Sequence, residues 1–279
     1  SKGGIARYAY RGGQFRLSAV AIWVPGRLDR RKPRAIASTG LLRPLLQASS
    51  NTTDTMDTPL VIFDLDGTLY HTAPDLMDSL NHTIGTIGLA PVRFENMTYL
   101  VGSGARVMIN RALELHSRTI DPEELERLFE LFIDHYGQSM PGSSALYPGA
   151  AAAMNRLEAA GMTMAVCTNK TESVALRLLE LTGHLPRFKA VTGGNTFAVR
   201  KPDPLHVLQT IELAGASPAA AVMIGDSVND IAAAKDAGIP SIAVPFGYSQ
   251  EPVESFGPDH VMQHYDELTP QLVSRLIAG

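Results

Sequence analysis

Residues 61–70, Val-Ile-Phe-Asp-Leu-Asp-Gly-Thr-Leu-Tyr, constrain the fold of this chain more than any other stretch. The apolar run Pro59–Phe63 carries no polar alternation, so it reads as a parallel strand buried on both faces. Such a strand belongs inside an open α/β sheet, whose ligands bind beyond the carboxyl ends of the strands. At that end stand two carboxylates, Asp64 and Asp66, followed by Gly67 and Thr68. Side chains two apart on a strand share a face, so both acids can reach one site if the extended geometry continues through Asp66. Carboxylates this close repel and need a cation, a shared proton or good solvation. A Mg²⁺-dependent site is the natural reading, although a lone D-x-D could merely end a strand in a polar turn.

Two further stretches repeat the pattern of an apolar run ending in polar residues. Residues 162–169 run Met-Thr-Met-Ala-Val-Cys-Thr-Asn, and residues 221–230 run Ala-Val-Met-Ile-Gly-Asp-Ser-Val-Asn-Asp. Between them, Arg200-Lys201-Pro202-Asp203-Pro204 offers a lysine beside a rigid turn that starts a helix. Strands are predicted at 59–64, 162–167, 189–192, 221–225 and 240–244, and helices at 148–160, 171–182, 204–214 and 228–237. This alternation implies an α/β fold with a doubly wound parallel sheet. After the first strand comes a helical block. Apolar spacing predicts helices over 74–87, 105–115 and 121–136, and Asp121-Pro122-Glu123-Glu124 is a helix start with an acidic N-cap and proline at N1.

Composition separates the chain into two parts. Residues 1–55 hold ten Lys/Arg against Asp29 and Asp54, while the remainder carries fourteen basic and twenty-six acidic residues. The basic extension, taken as 1–57, lacks periodicity and reads as largely irregular or flexible. It could be translated sequence upstream of a true start at Met56, a transit peptide, or a nucleic-acid-binding arm. It lacks the aromatic interleaving such an arm would use. Because the chain begins at Ser1, its extreme N-terminus reads as processed, truncated or engineered. A single cysteine excludes an internal disulfide, and no apolar stretch approaches the roughly 18 residues of a membrane span. The expectation is a cytoplasmic protein, with organellar import as the alternative. No nucleic-acid or membrane partner is expected, and both monomer and homodimer remain open.

The four motifs, in this order, resemble the signature of the haloacid-dehalogenase-like phosphotransferases. The resemblance implies a Rossmann-like core (58–72 and 143–279) with an inserted helical C1 cap (73–142). It implies that Asp64 is a nucleophile forming an aspartyl-phosphate, and that Asp66 is the acid that protonates the leaving oxygen and then activates water. It implies Mg²⁺ held by Asp64, the Asp66 backbone carbonyl and Asp226, with Asp230 in support, and phosphoryl binding by Thr168, Asn169 and Lys201. Family members that cleave C–Cl or C–P bonds generally lack an acid at the Asp66 position, so its presence points to phosphate esters. Pro74-Asp75-Leu76, Leu100–Arg106 and Val244–Tyr248 further resemble phosphoglycolate phosphatases, which implies 2-phosphoglycolate as substrate. The alternatives are another small sugar phosphate, a β-phosphoglucomutase-like isomerase, or a non-catalytic binding module.

Within that cap, Gly102-Ser103-Gly104-Ala105-Arg106 offers backbone N–H groups at a helix start and a guanidinium, either of which could take a substrate carboxylate. The same glycines lack the third glycine and preceding strand of a dinucleotide fingerprint. Cys167 should point away from Thr168 as a buried, inert thiol. His260 and His264 have no third ligand for a metal, and the methionines fill the core. One departure from the family pattern is Tyr70-His71-Thr72, where relatives carry a small apolar residue, Asp, and Ser or Thr. It bears on cap closure or substrate choice through His71.

Overall fold

A computed structural model describes residues 58–279. The basic extension, and every expectation placed on it, lies outside the described residues. The order of elements is β1 (Leu60–Phe63), β2 (Tyr70–His71), α1 (Ala73–Gly85), α2 (Met97–Leu100), α3 (Ala105–Leu115) and α4 (Pro122–Ser139). Then follow β3 (Ala145–Leu146), α5 (Ala150–Ala159), β4 (Thr163–Cys167), α6 (Glu172–Leu181), β5 (Ala190–Thr192) and α7 (Pro204–Ala214). The chain closes with β6 (Ala221–Gly225), α8 (Val228–Asp236), β7 (Ser241–Ala243), β8 (His260–Val261) and α9 (Pro270–Ala278). Among the described residues no helix is long and apolar enough to cross a membrane.

Six strands form one parallel sheet in the order β5-β4-β1-β6-β7-β8. Ile62 of β1 is registered against Ala165 on one side and Met223 on the other. β1 has no polar face because both of its faces are covered. Val61 and Phe63 join a core shared with Val166 and Ile224, whereas Leu60 and Ile62 join one shared with Ala165, Cys167 and Met223. The second core is closed by Val207 and Ile211 of α7 and by Ala233 and Ala234 of α8. The first is closed by α5, α6 and α9, through Leu157, Leu178 and Val273 among others. Burying each large aliphatic chain is worth about 1.5–3 kcal/mol, which is why the strands tolerate no charge before their last residue.

The helical insertion, α1 to α4, leaves and rejoins the sheet layer at one place. β2 and β3 pair antiparallel, with Tyr70 opposite Leu146 and His71 opposite Ala145. Asp75 ties the same junction together, its carboxylate accepting from the backbone N–H groups of Ser143 (2.9 Å) and Ser144 (2.7 Å) and from the Ser144 hydroxyl. The Asp121 side chain accepts from Glu124 N at the start of α4, as a helix cap must. The insertion has no core of its own: Leu80, Ile84, Phe132 and Tyr136 continue the first sheet core without a break.

Sequence reasoning passed over β2, β3, α2, β8 and α9. The spacing of His260 and His264 has no helical meaning, since His260 lies in β8 and His264 caps a short 3₁₀ turn.

Candidate active site

Parallel strands deliver their last residues to one edge, so Asp64 after β1, Thr168 after β4 and Asp226 after β6 converge there. The β1 ladder extends one residue further, Asp64 N donating to Ile224 O at 2.9 Å. The chain then turns at Gly67, whose φ of 86° suits glycine. A Cβ at Gly67 would also run into the Asp226 carboxylate and the Tyr248 ring. The turn brings the Thr68 hydroxyl onto Asp226 Oδ1 at 3.0 Å, and Tyr248 N holds Asp226 Oδ2 at 2.7 Å.

Asp64, Asp226 and Asp230 each place a carboxylate oxygen within 4.8 Å of the others, and all three are buried. Lys201 is the cation among them. Its Nζ donates to Asp64 Oδ1 (2.8 Å), Asp230 Oδ1 (2.6 Å) and Cys167 O. Three partners use its three donors. Asp230 is fully committed, since its other oxygen takes Ser227 N (3.0 Å) and Ser227 Oγ (2.7 Å) in the capping box of α8. Burial raises the Asp64 carboxyl to about 6, with the Lys201 ammonium pulling it down and Asp230 pushing it further up. Asp226 is pushed well above the usual carboxylate range by burial, then by Asp230 and Asp64. Burial would lower Lys201, but the Asp230 and Asp64 charges outweigh it and hold the ammonium above its ordinary value.

This arrangement fits a hard divalent cation. Three buried carboxylates around a single lysine leave excess negative charge in a water-poor site, and every candidate ligand atom is oxygen. Asp64 and Asp226 would hold the ion. Asp230, its oxygens spent on Lys201 and Ser227, stands behind them and orients the lysine.

Asp66 faces the same cavity as Asp64, together with Thr168 and Asn169. Thr168 Oγ1 accepts from Lys170 N at 3.2 Å. Asn169 donates from Nδ2 to Lys201 O at 3.0 Å, so it anchors the lysine's loop. That loop is fixed from its other side by His206, whose Nδ1 accepts from Lys201 N at 3.3 Å, and Asp203 caps α7 through Leu205 N.

Two partners of Asp66, and the phenol behind one of them, were not assigned to the site from the sequence. The Thr72 hydroxyl donates to Asp66 Oδ1 at 2.7 Å. Lys170 Nζ donates to Asp66 Oδ1 (3.0 Å) and Oδ2 (3.1 Å) and to the Tyr136 hydroxyl (3.1 Å). Lys170 directly follows Thr168-Asn169 at a strand end, which was the available signal. Nothing in the sequence marks Tyr136, which reads as one more apolar position of α4.

The structure corrects the reading of Arg106, which it does not bring into the site. Its side chain is exposed, forks onto Glu126 at 2.6 and 3.0 Å, and lies over the Phe129 ring. Helix α3 starts at the cavity, but Arg106 points off its outer face. The glycines of that segment do line the cavity. A Cβ at Gly104 would stand 3.1 Å from Asn169 O. An exposed ion pair is worth about 0–1 kcal/mol, so Arg106→Ala should leave kcat/KM for any phosphate ester within about two-fold; a ten-fold loss confined to carboxylated esters would restore Arg106 to the site. His71 touches none of the four acids. Its Nδ1 meets the Tyr248 hydroxyl at 3.1 Å, and that hydroxyl accepts from Thr72 N (2.7 Å) and Ala73 N (2.9 Å). Cys167 is buried with its thiol pushed up by burial, as its position in β4 implied.

The parallel sheet, the acids at its edge and the helical insertion define a class, and comparison with known proteins agrees. A model of the haloacid dehalogenase-like hydrolase family matches residues 61–244, and the chain belongs to that family. It is 51% identical over 220 residues to a phosphoglycolate phosphatase of Agrobacterium fabrum, covering 79% of this chain and 94% of that one. A phosphoglycolate phosphatase of Mesorhizobium japonicum is 49% identical over 222 residues, covering 80% and 98%. In structure the chain is similar to a predicted phosphoglycolate phosphatase from Haemophilus somnus, with a TM-score of 0.71 and 28% identity over 76% of this chain and 96% of the other.

Proposed function

We propose that this chain is a Mg²⁺-dependent phosphatase of small phosphate monoesters, with 2-phosphoglycolate as its substrate. The observation that carries the reading is the buried cluster of Asp64, Asp226 and Asp230 around Lys201, with Asp66 on the same cavity. Its relatives add the substrate. The ion, when bound, supplies positive charge that stabilises the phosphoryl oxygens. Asp64 attacks phosphorus as the ester P–O bond breaks, and Asp66 gives its proton to the leaving oxygen. Asp66 then takes a proton from the water that attacks the aspartyl-phosphate, which releases phosphate and restores Asp64. Thr168 and Lys201 position and neutralise the phosphoryl group. Helices α1 to α4 act as the cap, closing on the site and excluding water.

A sugar phosphate fits this site less well. Leu76, Val101, Met108, Phe132 and Val174 form much of the cavity wall. Sugar hydroxyls would be stranded against it.

The test is kcat/KM across a panel of phosphorylated metabolites with Mg²⁺, in which 2-phosphoglycolate should rank first and a sugar phosphate should trail. A sugar phosphate in first place would overturn the substrate assignment, and no phosphate release from any ester would overturn the phosphatase reading. Asp66→Asn should lower kcat by about 10²–10⁴ by removing proton transfer. A near-normal kcat in that variant would sink the acid–base assignment.

A further inference from the structure

We infer that Lys170 and Tyr136 together recognise a carboxylate on the leaving-group side of the substrate, one contributed by the core and the other by the helical insertion. The inference rests on the phosphatase reading above and assigns its specificity to two residues. Lys170 is 7% exposed and Tyr136 fully buried, and both line the cavity that holds Asp64 and Asp66. Among the described residues lining that cavity, Lys170 is the only basic one. Lys201 does not line it, its ammonium being seated on Asp64, Asp230 and Cys167 O.

Position gives Lys170 its role. Asp66 protonates the leaving oxygen, and Lys170 Nζ lies 3.0 and 3.1 Å from its two oxygens. Whatever is attached to the leaving oxygen by one carbon therefore lies beside this ammonium. The Lys170 contact to Tyr136, at 3.1 Å, is its only contact with a neutral group. A ligand carboxylate would replace that contact with a charge-assisted bond, and the displaced phenol can donate its own proton to the second carboxylate oxygen. The ammonium also lies 4.4 Å from the Tyr136 ring centroid, which holds it on the cavity side of α4. Elsewhere the wall is largely apolar, so a short anion gains where a hydroxylated chain loses. Since α4 supplies the phenol and the loop after β4 supplies the ammonium, the pair exists only with the insertion seated on the core.

The experiment compares 2-phosphoglycolate with ethyl phosphate, which has the same carbon count and no carboxylate, on the full chain with Mg²⁺. The quantity read is the ratio of the two kcat/KM values, in which any effect that Lys170 exerts through Asp66 on both esters cancels. Lys170→Met should lower that ratio by roughly 10–150-fold, the range of a charged hydrogen bond, mainly through KM for 2-phosphoglycolate. Tyr136→Phe, which keeps the ring and the ion pair with Asp66, should lower it by roughly 3–10-fold. The second variant carries the test should the first fail to fold. If the wild type prefers the carboxylated ester and both variants keep that preference within two-fold, the inference is overturned while the phosphatase reading stands. If the wild type shows no preference, the substrate assignment falls and this inference falls with it.

Discussion

Asp64→Asn is expected to abolish turnover, by at least about 10⁴-fold, while raising the stability of the protein measured without divalent cation. Turnover falls because an amide cannot replace the attacking carboxylate, and stability rises because a buried charge is removed. Burial and Asp230 lift the Asp64 carboxyl from 3.8 to about 6 in spite of Lys201. A carboxyl raised by folding binds its proton more tightly in the folded chain. Its contribution is therefore present below pH 4 and is lost as pH rises through about 6. At neutral pH the ionised group costs up to roughly 3 kcal/mol, which an amide of the same shape does not pay. The variant should melt higher than wild type at pH 7.5, the difference should shrink toward pH 4, and added Mg²⁺ should narrow it by stabilising wild type more. A lower Tm for the variant at pH 7.5 in metal-free buffer would show that the Asp64–Lys201 pair stabilises the fold on balance. Retained turnover would remove Asp64 from the chemistry.

The opposite change should do the opposite. Lys201→Met takes the one cation from between Asp64 and Asp230 and leaves both acids unpaired in the interior. Removing one partner of a buried pair costs about 3–5 kcal/mol. In a domain of this size that is a fall in Tm of about 6–20 °C. With the proposed role of Lys201 in neutralising the phosphoryl group, activity should fall by at least about 10³-fold. Mg²⁺ should recover more Tm in this variant than in wild type, because a cation entering the acid cluster replaces part of the missing charge. A loss below about 3 °C would mean the acids simply take up protons when Lys201 is absent.

Which parts of this molecule were legible in its sequence follows from what burial imposes. β1, β4 and β6 are covered on both faces, so each had to be an apolar run, and the acid or hydroxyl that follows it stands out against that run. Helix α3 matched its expected span, Ala105–Leu115, because a glycine precedes it and one face carries Met108, Ile109, Ala112 and Leu113. Two-residue strands such as β2, β3 and β8 have no period to detect. Helix α9 did offer a signal, Thr269-Pro270 followed by Leu272, Val273, Leu276 and Ile277 at helical spacing. The acids of the site were legible because motif and strand end coincide. Lys170 carried only its place after Thr168-Asn169, and Tyr136 carried nothing, since its meaning depends on which distant element faces it. Arg106 failed for the same reason in reverse: a helix start fixes where backbone N–H groups point, but says nothing of the direction taken by the second side chain.

The pairing of β2 with β3 also bears on how such a molecule can fold and diversify. Residues 72–144 form a long excursion whose two ends are clasped by Tyr70–Leu146, His71–Ala145 and the Asp75 carboxylate. To the sheet, the excursion looks like a closed hairpin. Loop-closure entropy grows only logarithmically with length, so a longer or shorter excursion costs the scaffold little once its ends are joined. Selection could therefore exchange the whole excursion, and with it the recognition of the leaving group, while the acids at the strand ends stay in place. A graft at that clasp is the natural way to give this catalytic edge a different substrate.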